Sequence, residues 1–318
     1  MTEPIPSSRP RRFPLRLTGR QIAAGLFLLT VASVAHVGER DWTSVDHGWS
    51  GWTLAAGLLT ILVAHELGHY VVARWHGEHP SPPYFLPLPW FNPFGTLGAV
   101  LLLDDRERSR DTLLDIGAAG PWAGMLVAIP MTLLGLSLSP VEPLAASGYA
   151  QEGQSLVYWG LKHLVLGPIP DGYDVVMHPL LGGAWAGLYV TFLNLIPIGQ
   201  LDGGHVAYAL LGPRRQRLLR WVLLLPSALL MYNALDTGLP LWWSANGDVF
   251  AIPRSGWLTL LSAVIPWAVL QLLFAVMIER MGHPPMQASR LSPSRRALGW
   301  ATLALWLLLF VPSPWVVH

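Results

Sequence analysis

The sequence predicts an all-α protein that crosses a membrane about seven times, with a re-entrant loop and short strand after the second crossing. Three observations predict it. Hydrophobic residues make up 52% of the 318-residue chain and charged residues only 12%, about half the charged share of a soluble globular domain. Mean hydropathy is +0.42. Apolar stretches of the roughly 20 residues a bilayer demands recur along the chain, near 21–38, 52–75, 113–138, 180–200, 218–237, 257–278 and 297–316. Tryptophans such as Trp42, Trp49, Trp52, Trp242, Trp243 and Trp257 gather near the ends of these stretches, as an interfacial aromatic belt requires.

Residues 1–20 form a basic leader to the first span, and 21–316 read as one transmembrane domain. Arg9, Arg11, Arg12, Arg16 and Arg20 put the N-terminus on the cytoplasmic side. Alternating from there, Arg74, Arg106, Arg108, Arg110, Arg214, Arg215, Arg217, Arg220, Arg280, Arg290, Arg295 and Arg296 are also cytoplasmic. Only Arg40, Lys162 and Arg254 fall outside. A wrong number of spans scrambles this split. The basic start and Ala32-Ser33-Val34-Ala35 also fit a signal peptide, but the apolar part is long and no soluble domain follows.

The second span carries His65-Glu66-Leu67-Gly68-His69. Between it and the third lies PSPPYFLPLPWFNPFGTLGAVLLL (80–103), too proline-rich for a helix, which reads as a re-entrant loop and a short strand at 95–103. Such backbone is tolerated at membrane depth only where it packs on protein or lines a cavity. Segment 139–178, with Glu142, Glu152, Asp171 and Asp174 against Lys162, has turns and little periodicity and reads as an external loop. In the fourth span Pro197 and Gly199 break the helix. The composition points to an integral protein of a bacterial inner membrane, in contact with lipid.

The net charge of +1 leaves no basic face for nucleic acid. The absence of cysteine excludes disulfides, thiol catalysis and Cys-rich zinc modules. HExxH on a helix does carry chemistry. It sets two imidazoles four residues apart on one face, where both reach one zinc ion, with the glutamate placed to act as base toward water. A buried histidine pair and glutamate satisfied at a helix interface is the bland alternative, and intramembrane ionisable groups weaken it. Zinc needs a third protein ligand. The soluble pattern HExxHxxGxxH is absent, since Val72 and Trp75 stand at the required positions. Asp115, Asp202, Asp236, His178 and His205 are the candidates. Asp202 stands out because NLIPIGQLDGGH (194–205) lets backbone and carboxylate approach one centre closely. Elsewhere His178 reads as a helix-start residue and Asp115 as a carboxylate at a helix N-terminus. His76 and His79 read as solvated, and the glycines of 117–124 and 182–187 as close helix packing.

HELGH on an early span with NLIPIGQLDGG on a later one resembles the site-2 proteases, zinc metalloproteases that cut inside membranes. FGTLGAV (94–100), DIGAAGPWAG (115–124) and HPLLGGAWAGLYVTFLNLIP (178–197) extend the resemblance over roughly 51–211. PYFLPLP (83–89) looks closest to the branch that includes chloroplast members. The resemblance implies one Zn2+ per chain, held by His65, His69 and Asp202. It implies Glu66 as the catalytic base and Asn194 as a residue holding substrate or its oxyanion. The implied substrate is a transmembrane protein segment, cut in regulated intramembrane proteolysis; the charge-based orientation puts His65, His69 and Asp202 in the cytoplasmic half of the bilayer. An inactive scaffold and a metal or small-molecule transporter are the competing functions.

Overall fold

The computed structural model describes residues 18–41, 50–89, 92–103, 108–144, 150–212, 290–311 and 314–317, with isolated positions from 228 to 257 and at 287. The spans expected at 218–237 and 257–278, the leader 1–17 and Asp236 lie outside the described residues. Among the described residues three helices are long and apolar enough to cross a bilayer: α1 (Gly19–Asp41), α2 (Ser50–Trp75) and α3 (Arg110–Ser137). They pack side by side, joined at alternate ends. Glu39, near the end of α1, accepts from Gly51 N (2.7 Å) and Ser50 Oγ (3.1 Å) at the start of α2. Ser109 caps α3 by accepting from Thr112 N (3.1 Å).

Small residues let the helices touch. A Cβ at Gly68 would stand 2.7 Å from Ala123 Cβ of α3, so the HELGH turn itself is a contact surface. Three turns earlier along α2, α5 (Pro179–Asn194) meets it where Gly57 faces Gly183. The glycines at 182–187 thus serve close packing, as expected.

Segment 84–100 forms a hairpin rather than a loop with a lone strand. Strands β1 (Tyr84–Pro87) and β2 (Thr96–Val100) pair antiparallel, Tyr84 opposite Val100, with a bulge between Phe85 and Pro87. The turn lies against α1. Gly95 has φ 72° and touches Val34 Cα at 2.8 Å from its Cβ position, and Ser33 Oγ donates to the Gly95 carbonyl (2.6 Å). Both the dihedral and the space require glycine there.

The expected external loop 139–178 is instead a built cap. It contains β3 (Val141–Pro143), β4 (Ala150–Glu152), helix α4 (Leu156–Leu166) and β5 (Tyr173–Val175). β3 pairs with β5, and β4 pairs with a C-terminal strand, β6 (Trp315–Val317). Three-residue strands made with distant partners leave no local alternation to read. Behind them is a buried polar network: Lys162 Nζ lies 3.2 Å from Glu152 Oε1 and 2.7 Å from Asp174 Oδ1, and Tyr158 donates to Glu152 (2.9 Å). Trp185 of α5 donates to the Gly153 carbonyl (2.8 Å), tying cap to bundle.

Burial, then the Glu152 carboxylate, raise the Tyr158 phenol well above its usual range, so it remains a donor. Tyr158→Phe is expected to cost about 1.5–3 kcal/mol, the worth of a bond to a charged group, measured by denaturation in detergent. A pKa raised on folding contributes stability below the unfolded value, about 10, and loses it as pH rises further. The difference between wild type and Tyr158→Phe is therefore constant at neutral pH and narrows in strong alkali.

Two helix expectations need correcting. The span expected over 180–200 is broken, as Pro197 and Gly199 predict, but its first helix already ends at Asn194. Residues 195–201 turn, with Gly199 at φ 57°, and a new helix α6 (Asp202–Leu211) begins. The proline at 197 and the close seat of Gly203 and Gly204 on the carbonyls of Leu195 and Ile198 make the break. The helix expected over 297–316 is α7 (Pro293–Leu308), opened by a Ser292 cap and a proline in its first turn. Its last expected residues are strand β6. Among the described residues the fold is therefore mostly helical with three small two-stranded sheets, not all-α.

Candidate metal centre

α2 presents His65 and His69 on one face, both buried. Asp202 arrives from the opposite direction as the first residue of α6, where the positive end of the helix dipole favours a carboxylate. His65 Nε2 lies 3.0 Å from Asp202 Oδ2, His69 Nε2 lies 3.2 Å from Asp202 Oδ1, and the two Nε2 atoms are 3.1 Å apart. One ligand atom from each falls within 4.8 Å of the others. Among the described residues this is the one group of three or more His, Asp or Glu with that geometry. Of the five third-ligand candidates, Asp202 joins the histidines. His205, one turn later, packs its Cβ over Gly117 instead.

The donor chemistry fits zinc. The His69 Nδ1 sits 2.7 Å from the Ile116 carbonyl, which can only accept, so Nδ1 carries the hydrogen and Nε2 keeps its lone pair. Ligands about 2.0–2.1 Å from a tetrahedral zinc stand ~3.3 Å apart, close to the separations here. Two imidazoles and one carboxylate are a ligand set typical of hydrolytic zinc. Glu66 is buried beside them, and Asn194, at the last turn of α5, places Nδ2 3.5 Å from His65 Nε2.

Other sites fall differently from expectation. His178 caps α5, accepting from Leu180 N (3.2 Å), as a helix-start residue does. His79 is exposed and pairs with Arg74 (3.0 Å). His76 is not simply solvated: its Nε2 meets Asp115 Oδ2 at 3.0 Å. Asp115 is no bare helix-start carboxylate, since Arg295 of α7 also holds it. Two features escape sequence reasoning: the Ile116 carbonyl, because a backbone atom has no sequence signature, and Gly120. A Cβ at Gly120 would stand 2.5 Å from His69 Cδ2 and Cε1. Its only signal is the glycine-rich run 117–124.

The sequence model described as Peptidase family M50 matches residues 53–232, a span that holds all five expected site residues. The chain is 37% identical over 154 residues to "Probable zinc metalloprotease EGY2, chloroplastic" of Oryza sativa subsp. indica, covering 48% of this chain and 28% of the relative. It is 33% identical over 194 residues to the protein of that name in Arabidopsis thaliana, covering 60% and 34%. It is 36% identical over 165 residues to "Probable zinc metalloprotease EGY1, chloroplastic" of Arabidopsis thaliana, covering 50% and 29%. The matches thus span about a third or less of these relatives. No solved structure matches. The relatives are plant chloroplast proteins, so they lend no support to the bacterial membrane expected from composition; residence in a membrane is what the apolar helices support. With more than half of its length matched, the chain belongs to peptidase family M50, the site-2 proteases.

Proposed function

We propose that this chain is a zinc-dependent endopeptidase that cuts transmembrane segments of membrane proteins. The observation that carries the reading is the convergence of His65, His69 and Asp202 beside Glu66. Zinc, when bound there, supplies a Lewis acid for the scissile carbonyl and makes water a stronger acid. Glu66 accepts the water's proton and delivers it to the leaving amine. Asn194 Nδ2 donates to the developing oxyanion. His69 holds its ring orientation through Ile116. A helical substrate hides its carbonyls in internal bonds, so the segment unwinds before cleavage. The free edges of the β1–β2 hairpin suit pairing with an unwound strand.

The orientation we propose has the N-terminus on the cytoplasmic side and seven crossings. The N-terminal ends of α3 and α7 and the C-terminal end of α2 meet at Asp115, with Arg295 and His76. Arg110 there also donates to the Ala209 (2.8 Å) and Leu210 (3.1 Å) carbonyls closing α6. α6 ends and α7 begins on that one side. The two spans read from the sequence at 218–237 and 257–278, added to α1, α2, α3, α5–α6 and α7, make the proposed seven. At 16 residues each, α5 and α7 fall short of the ~20 that span a bilayer alone. The arginine-rich end is then cytoplasmic, and His69 lies roughly 7 Å inward from Arg74. That places cleavage in the cytoplasmic half of the bilayer, as in regulated intramembrane proteolysis.

The test is purified full-length protein in proteoliposomes with a single-span substrate. One zinc per chain by elemental analysis is expected, with cleavage lost on chelation and restored by zinc. Stoichiometric protein without zinc, or cleavage indifferent to chelator, overturns the proposal. Zinc flux into the vesicles would favour a transporter.

A further inference from the structure

We infer that Asp115 is a positioning residue of the metal centre, working with His76 and Arg295 to fix how α3 meets His69. The inference rests on the zinc reading above. Asp115 takes bonds from two other helices. Arg295 Nε lies 2.9 Å from Oδ1 and 2.8 Å from Oδ2, and its terminal nitrogen lies 2.8 Å from Oδ2. His76 Nε2 lies 3.0 Å from Oδ2. The His76 ring is held on its other side too, with Nδ1 3.3 Å from Thr112 Oγ1. One carboxylate thus joins the end of α2, the first turns of α3 and the first turn of α7.

What this node holds is next to it in the chain. Ile116, the following residue, offers the carbonyl that receives His69 Nδ1 at 2.7 Å. His76 follows the last residue of α2 and keeps its helical bond to the Val72 carbonyl (3.1 Å), so His69 and His76, seven residues or about two turns apart, project to nearly one side. α2 is therefore tied to α3 twice on the same line, by His69 to Ile116 and by His76 to Asp115. One tie alone leaves only the packing of α3, such as Gly68 on Ala123, to oppose a pivot about it. With two, both the turn of α3 about its axis and its slide along α2 are set. The tolerance is small, because Gly120, one turn further along α3, already lies against the His69 ring.

α7 adds the third support. Gly299 of α7 seats against Leu114, and Trp122 of α3 donates to Thr302 of α7 (3.0 Å). Arg295 also reaches Asp111 (3.0 Å), a separate and more exposed contact. A carboxylate serving only the helix dipole would tolerate amide replacement with little effect. A carboxylate held by a guanidinium fork and an imidazole would not.

The experiment measures zinc affinity by chelator competition in the purified full-length chain, with thermal stability alongside. Asp115→Asn is expected to weaken zinc binding 10- to 100-fold, the usual cost of losing a group that orients a ligand. Asp111→Asn should leave the affinity unchanged. Arg295→Ala should weaken it, and Arg295→Lys should recover part of the loss. In the cobalt-substituted protein, Asp115→Asn should also shift the ligand-field absorption. Wild-type affinity in Asp115→Asn, whatever its melting temperature, overturns the inference, because Asp115 would then be only a structural anchor. If Asp115→Asn does not fold, equal affinities in Arg295→Ala and Arg295→Lys overturn it. A wild-type chain that binds no zinc removes the zinc reading itself, a distinct outcome.

Discussion

Glu66→Gln is expected to lower cleavage of a transmembrane substrate by about 10²–10⁴-fold, the range a positioned acid–base group contributes, while zinc stays bound. Gln keeps the shape of Glu and removes its ability to take a proton. The three converging donors are His65, His69 and Asp202, and Glu66 is not among them, so metal content should match wild type. That separation gives the test its force. Loss of activity together with loss of zinc would make Glu66 a structural or ligand residue. Unchanged cleavage with zinc present would remove the base from the mechanism. The readout is single-turnover cleavage in proteoliposomes paired with elemental analysis of the same sample.

How much of this site was legible in the sequence depends on how local its signals are. HELGH could be read because four residues on a helix fix two imidazoles on one face, and α2 places them so. Asp202 could be singled out because Pro197 and Gly199 announce a break, and the break is what swings α6 toward His65. The extent of the break was less visible. Mean apolarity continues to residue 200, whereas the helix ends at Asn194. The cap was hidden for a different reason. β4 finds its partner at 315–317, far along the chain, and a three-residue strand shows no alternation. His76 illustrates the general limit. Its neighbours in sequence are exposed, so it reads as solvated, and only the approach of α3 gives it Asp115. Contacts made by one element on itself are readable; contacts that need two elements to arrive are not.

Gly120 and Gly124 on α3 sharpen that limit into a measurement, because in sequence they look alike. Gly120→Ala is expected to weaken zinc binding about 10²–10³-fold, and Gly124→Ala to leave it nearly unchanged. A Cβ at 120 would lie 2.5 Å from two ring carbons of His69, and nearer still to Nε2, the donor atom. The ring cannot swing aside without breaking its bond to Ile116. The alanine thus removes one ligand. If about 10–16 kcal/mol of zinc binding is shared among four ligands, one ligand is worth ~2.5–4 kcal/mol, which corresponds to the stated loss in affinity. At 124 the added Cβ would stand 3.4 Å from His65 Cβ and Nδ1, an ordinary contact. Both substitutions raise helix propensity by about 1 kcal/mol relative to glycine, so a general weakening of α3 would not separate them. Chelator competition on the two full-length variants does. Equal affinities would mean that His69 is not oriented as described, and would leave His65 and Asp202 to hold the metal without it.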